Sequence, residues 1–279
     1  MSDSRSDVLI TVENLSAHVA SGTPLVLLDV SDDLEAAPLE RPVIPGAIAT
    51  SLAADFSGPA TKLGGRRPLP DAGILQATLR RFGICANSLV VVYDNAAGAQ
   101  AGRAWWTLRW AGHRNVRLLD GGLGAWRAAG NAVADQPVHP AGNGDISVSP
   151  GSMPTIEAEA AAEIARTGAL LDARGKAAYE GEADLPATGH IPGAVCAPSA
   201  GTVGAYGCFK SNDELCAHFA GLGVDGKQPV GVYCGSGNAA SHELAAMYAA
   251  GLEAPLYVGS WSAWTGDPKR PVAKGSERG

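Results

Sequence analysis

The sequence predicts an α/β protein built from two tandem copies of one module, each a parallel sheet flanked by helices. Three observations predict it. The first is an internal repeat. Ile44–Ala47 (Ile-Pro-Gly-Ala) returns as Ile191–Ala194, Leu28-Asp29 as Leu171-Asp172, Val92-Tyr93 as Val232-Tyr233, and Ala125-Trp126 as Ala263-Trp264. The order is kept at a spacing of about 140 positions, which duplication explains and chance does not. The second is the alternation of short apolar runs with helix-like stretches, the pattern of βαβ units. The third is size, since 279 residues suit two domains of about 130 to 140 residues, each able to bury a core.

In the first half the strands are expected at Val8–Thr11, Leu25–Val30, Ala47–Ser51, Leu89–Asp94 and Val116–Leu119. Leu25–Val30 is nearly all aliphatic, as a strand covered on both faces should be. Pro70–Arg81 reads as a helix that opens on Pro-Asp and stops at Gly83. Residues 131–154 are rich in Gly, Pro, Ser and Asn and read as a linker. The second half repeats the strands at Thr155–Ile156, Ala169–Ala173, Ala194–Ala197, Pro229–Cys234 and Pro255–Val258. The expected division is a first domain over 1–130, the linker, and a second domain over 155–279.

Composition limits the function. A net charge of -7 leaves no electrostatic footprint for nucleic acid or an anionic membrane. Nowhere does an apolar run reach the roughly 18 residues that a membrane span needs. The stretch Met1–Asp7 is polar and carries two acids, unlike a secretory signal. The five cysteines, at 85, 196, 208, 216 and 234, are odd in number and lack metal-ligand spacing. Free thiols in a reducing, cytoplasmic setting are therefore expected, with no metal and no cofactor.

Chemistry in such sheets sits beyond the carboxyl ends of strands, where a loop turns into a helix. Two loops hold that place after the fourth strands. One begins at Asp94, the other at Cys234 and runs Cys-Gly-Ser-Gly-Asn-Ala through Gly235, Ser236, Gly237, Asn238 and Ala239. The glycines let successive N–H groups converge, and the following helix adds its positive end. Such a nest stabilises a thiolate and can hold an anion delivered to the sulfur. Cys85, Cys196, Cys208 and Cys216 have no such cradle and read as core or surface filler.

Four stretches together resemble the tandem-domain rhodanese family of sulfurtransferases: the Cys-Gly-Ser-Gly loop, Leu170–Arg174, Gly189–Ala194 and Gly259–Trp264. The likeness extends into the first half at Arg103–Trp106 and Leu119–Gly122. It implies a persulfide enzyme in which only the second domain is catalytic, and Asp94 at the cysteine position of the first half fits that asymmetry. It also implies 3-mercaptopyruvate as donor, because family members that use thiosulfate tend to carry basic residues after the cysteine. Thiosulfate is the second donor considered, and a thiol, cyanide or a thioredoxin-like protein the acceptor.

On this reading Cys234 is the nucleophile, and Ser236 bonds to the sulfur or helps protonate the leaving enolate. The backbone of Gly235, Gly237, Asn238 and Ala239 holds the persulfide. Arg174 is the expected substrate-binding residue, with an ion pair to Asp172 or Glu180 as the competing structural role.

The sequence departs from the family at four places. Ala178 stands where a second arginine is usual, and Val43 where the first domain often has histidine. Asn238 and Ala239 replace the usual Val and Thr. His190 and His113 read as structural, and His242 lies too far along its helix to reach the sulfur. Trp261 and Trp264 are candidates for the pocket wall, with core packing the default. Two rivals remain. A cysteine phosphatase or arsenate reductase needs an arginine six residues after the cysteine, and that position is Ala240. A non-catalytic sulfur carrier or partner-binding module on the same scaffold is the alternative that the missing Ala178 and Val43 partners favour.

Overall fold

The structure is a computed structural model that describes residues 4–31, 42–140, 142–182, 185 and 187–279. It resolves into two units. The first comprises Met1–Gly58, Leu69–Met153 and Gly204–Phe209, and the second Pro59–Pro68, Pro154–Val203 and Lys210–Gly279.

The first unit is built as β1 (Leu9–Ile10), α1 (Val12–Ser21), β2 (Val26–Ser31), β3 (Ile48–Ser51), α2 (Leu52–Asp55), α3 (Ala72–Arg81), β4 (Val90–Tyr93), α4 (Ala99–Trp110), β5 (Val116–Leu119) and α5 (Gly122–Ala128). Its strands lie in the order β1-β5-β4-β2-β3, all parallel. The aliphatic run expected to be covered on both faces forms β2, where Leu27, Leu28 and Val30 are buried. Helix α3 begins two residues later than Pro70 because Asp71 is its N-cap, its carboxylate accepting from the amides of Gly73 and Ile74. Capping of that kind satisfies donors that the first turn cannot.

Residues 131–140 and 142–153 run along this unit. Ala134 exchanges both backbone bonds with Val43, Val138 donates to Ala47, and Ile146 donates to Ile84. Val43 is fully buried in the core beside Ile44 and Tyr93.

The second unit repeats the plan with β6 (Thr155–Ile156), α6 (Ala158–Thr167), β7 (Ala169–Asp172), α7 (Lys176–Glu180), β8 (Val195–Cys196), α8 (Asn212–Gly221), β9 (Val230–Tyr233), α9 (Asn238–Ala249), β10 (Leu256–Tyr257) and α10 (Ser260–Trp264). The strand order β6-β10-β9-β7-β8 is the same. All ten predicted runs carry a strand: β5 and β6 match the expected spans, β2 is shifted by one residue to end at Ser31, and the other seven lose one residue at one or both ends. The duplication reaches individual bonds: the Tyr93 hydroxyl accepts from the Ile44 amide at 3.0 Å, and Tyr233 from Ile191 at 3.2 Å.

Among the described residues no helix is long and apolar enough to cross a membrane.

Candidate active site

Strand β9 ends at Tyr233 and helix α9 starts at Asn238, so Cys234–Gly237 is the strand-to-helix turn. Gly237 is the N-cap of α9 with φ of 91°, a backbone region in which a side chain would be strained. That conformation turns its amide onto the cysteine: Gly237 N donates to Cys234 Sγ at 3.1 Å. The Cys234 side chain is 2% exposed. It is therefore buried yet polar-partnered, unlike a cysteine that merely fills a core. Its own amide donates to Ser260 Oγ at 3.3 Å.

The turn is clamped from α10. The amides of Trp261 and Ser262 donate to the carbonyls of Cys234 and Gly235 at 2.9 and 3.0 Å. Ser236 is 8% exposed, and among the described residues its hydroxyl has no hydrogen-bond partner. The Asn238 amide oxygen is buried with no hydrogen-bond partner among the described residues.

Arg174 sits at the end of β7, as expected, and holds Asp172. Its Nε lies 2.9 and 3.1 Å from the two carboxylate oxygens, and its Nη2 lies 2.6 Å from Oδ2. Nη2 also donates to the Gly189 carbonyl. Burial opposes the charge, but the hydrogen bond and charge of Asp172 outweigh it and hold this guanidinium above its ordinary pKa. The face of the group rests on the Trp261 ring, 4.6 Å from its centroid. Ala178 is exposed on α7.

The histidines take the structural places expected of them. His190 Nδ1 pairs with the Tyr179 carbonyl, and its ring stacks on Tyr179 at 3.7 Å. His113 Nε2 pairs with the Ser88 carbonyl, and burial lowers its pKa. Trp264 is core and donates its Nε1–H to Pro271.

Two features lay outside the sequence reading. The first is Glu243, which is wholly buried on α9 with both carboxyl oxygens unpartnered. Burial, and then the Asp172 charge, push its pKa well above the ordinary value, which favours the protonated form. An isolated glutamate in an alanine-rich helix was the only sign of it. The second is Arg66. Its segment, Pro59–Pro68, packs within the second unit although it comes from the first half of the chain. Its Nη2 lies 3.2 Å from the point where a Cβ on Gly235 would stand. The doubled glycine before Arg66-Arg67 signals a tight turn that presents cations, but nothing in the sequence links it to Cys234.

The first unit has its turn at the corresponding place, Asp94–Gly98 between β4 and α4, one residue longer and with a different occupant. Asp94 is 2% exposed. One of its oxygens accepts from the amides of Ala96 and Gly98 at 2.8 and 2.9 Å, the other from Gln100 and Ala101 at 3.0 and 2.9 Å. The nest there is filled by its own carboxylate.

Comparison with known proteins gives the family and the fold. The family model described as rhodanese-like domain matches residues 11–129 and 157–267. A putative thiosulfate sulfurtransferase of Mycobacterium tuberculosis, SseB, is 41% identical over 283 residues, covering 98% of this chain and 99% of that one. A probable 3-mercaptopyruvate sulfurtransferase of Pseudomonas aeruginosa is 41% identical over 289 residues, covering 96% and 98%. The crystal structure of Tum1 from Saccharomyces cerevisiae superposes with a TM-score of 0.82 at 21% identity, over 96% of this chain and 98% of that one.

Proposed function

The chain belongs to the rhodanese family and is a sulfurtransferase, and we propose that it moves a sulfane sulfur from 3-mercaptopyruvate, or from thiosulfate, through a persulfide on Cys234. The observation that carries this reading is the Gly237 amide aimed at the Cys234 sulfur in a turn whose counterpart already holds an anion. The Asp94 oxygens lie one bond beyond Cγ, as the outer sulfur of a persulfide lies one bond beyond Sγ. The four amides gathered by Asp94 support the reading that the loop N–H groups from Gly235 to Ala239 hold the persulfide anion.

The Cys234 thiolate attacks the outer sulfur of the donor, and the sulfur–carbon or sulfur–sulfur bond of the donor breaks. With thiosulfate, sulfite leaves with the bonding pair. With 3-mercaptopyruvate the pyruvate enolate leaves, and the proton of the donor thiol ends on its methyl carbon. Ser236, with a hydroxyl that has no other partner among the described residues, relays that proton. A thiolate or cyanide then attacks the outer sulfur, the persulfide bond breaks, and the Cys234 thiolate returns. Arg174 keeps a substrate-binding role only through Nη1, since its other two nitrogens hold Asp172 and Gly189. We place the reaction in the cytoplasm, with small thiols, cyanide or a thioredoxin-like protein as acceptors.

The test is the mass of the Cys234 peptide after exposure to each donor. The gain of one sulfur atom, reversed by cyanide with release of thiocyanate, is the expected result. An unmodified Cys234 with both donors would sink the reading in favour of a partner-binding module.

A further inference from the structure

We propose that Arg66, contributed by the first half of the sequence, binds the anionic end of the sulfur donor beside Cys234. This rests on the sulfurtransferase reading and adds to it the residue that selects the charge of the donor.

The position of Arg66 is fixed by its backbone. Thr61 and Gly65 exchange both N–H···O bonds, at 3.0 and 2.9 Å, and close a tight hairpin. Gly64 N donates to Thr61 Oγ1 inside it. The hairpin lies flat on α10: a Cβ on Gly65 would fall 2.6 Å from the Gly259 carbonyl and 2.7 Å from Ser262 Oγ. Only glycine, here with φ of 83°, permits that approach. The next residue is then pinned, Arg66 N donating to Ser262 Oγ at 3.0 Å. Because Trp261 and Ser262 also clamp Cys234 and Gly235, hairpin and catalytic turn share one support.

The side chain completes the case. Arg66 Nη2 stands 3.2 Å from the point where a Cβ on Gly235, the residue after the nucleophile, would lie. Among the described residues its guanidinium makes no hydrogen bond or ion pair, whereas Arg174 is committed to Asp172. The turn itself, Gly235 and Ser236, carries no charge. Arg66 therefore supplies the cation that the turn lacks, in a planar fork suited to a carboxylate or a sulfonate. Its ligand is a small anion whose charge lies a few bonds from the reacting sulfur. The carboxylate of 3-mercaptopyruvate and the sulfonate end of thiosulfate share that chemistry.

Alkylation tests the anion site without any need for turnover. Iodoacetate and iodoacetamide react with the same thiol and differ in charge, and the Cys234 peptide is followed by mass so that the exposed Cys216 does not confuse the count. Arg66→Ala should slow iodoacetate about tenfold, the lower end of what a charge-assisted bond gives because the side chain is exposed, and leave iodoacetamide within about twofold. Arg66→Lys should keep part of the preference. An iodoacetate-to-iodoacetamide ratio that is the same in native protein and Arg66→Ala overturns the proposal. In turnover, Arg66→Ala should raise KM about tenfold for both donors while persulfide discharge to a neutral thiol is unchanged. If the native protein forms no persulfide but the alkylation ratio still falls in Arg66→Ala, the sulfurtransferase reading fails and the anion site stands.

Discussion

The amide of Gly237 donates to the sulfur of Cys234 across 3.1 Å, and in the first unit the amide of Gly98 donates to the Asp94 carboxylate across 2.9 Å. Both glycines cap the following helix in the left-handed conformation. The first turn is one residue longer, and there a carboxylate takes up four loop and helix amides, where in the second a glycine amide meets a sulfur.

Cys234→Ser should abolish sulfur transfer, because a hydroxyl forms no persulfide, and should change folding stability by less than about 1 kcal/mol. Steady-state rates with either donor, beside a urea titration, check both halves. Mutant turnover near the native rate would place the nucleophile elsewhere.

Asp94 cannot carry sulfur, so native protein treated with donor should gain no more than one persulfide per chain. Replacing Asp94 with Ala strips four amides of their acceptor and should cost about 2–3 kcal/mol of stability, the range for bonds to a charged group. A second persulfide mapped to Cys85 would refute the first expectation. A stability loss below about 0.5 kcal/mol would refute the second.

Ser236 should matter for one donor and not the other. Pyruvate enolate needs a proton as it leaves and sulfite does not. We expect Ser236→Ala to lower kcat with 3-mercaptopyruvate about 10- to 100-fold and to leave kcat with thiosulfate within about twofold. The native protein should show the higher kcat/KM with 3-mercaptopyruvate. Equal losses for both donors would remove Ser236 from proton transfer.

Glu243 links stability to pH. In the unfolded chain its carboxyl ionises near 4.5, while in the fold burial and the Asp172 charge keep the proton on well above that. Above about pH 4.5 the folded state therefore holds more protons than the unfolded one, and this residue's contribution to stability falls as pH rises. Glu243→Gln keeps the shape and removes the linkage. It should raise Tm at pH 8, by roughly 2–4 °C for each kcal/mol relieved, and lose that advantage at pH 4. A Tm difference independent of pH would show that Glu243 is not held as a neutral acid.

The parts of this protein legible in its sequence are those set by neighbours along the chain. Strands, helices and the Cys234 turn follow from local spacing, and the matched strand order from the repeat. Asp94 was recognisable as a silent counterpart, although not as the occupant of its own nest, because the convergence of four amides is a matter of backbone torsions. Arg174 was visible at its strand end, but the partner it holds depends on side-chain reach and burial.

By itself, then, the sequence determined the two-sheet architecture and the position of Cys234 at the head of the strand-to-helix turn. Hydrophobic alternation and a cysteine-led glycine turn specify these over a few residues at a time. Only the tertiary structure decided which cation stands beside the Gly235 backbone. Arg66 meets Ser262 across 196 positions of sequence, an approach that no local pattern encodes. It exists because a glycine hairpin closes onto α10, with Gly65 at van der Waals distance from Gly259 and Ser262.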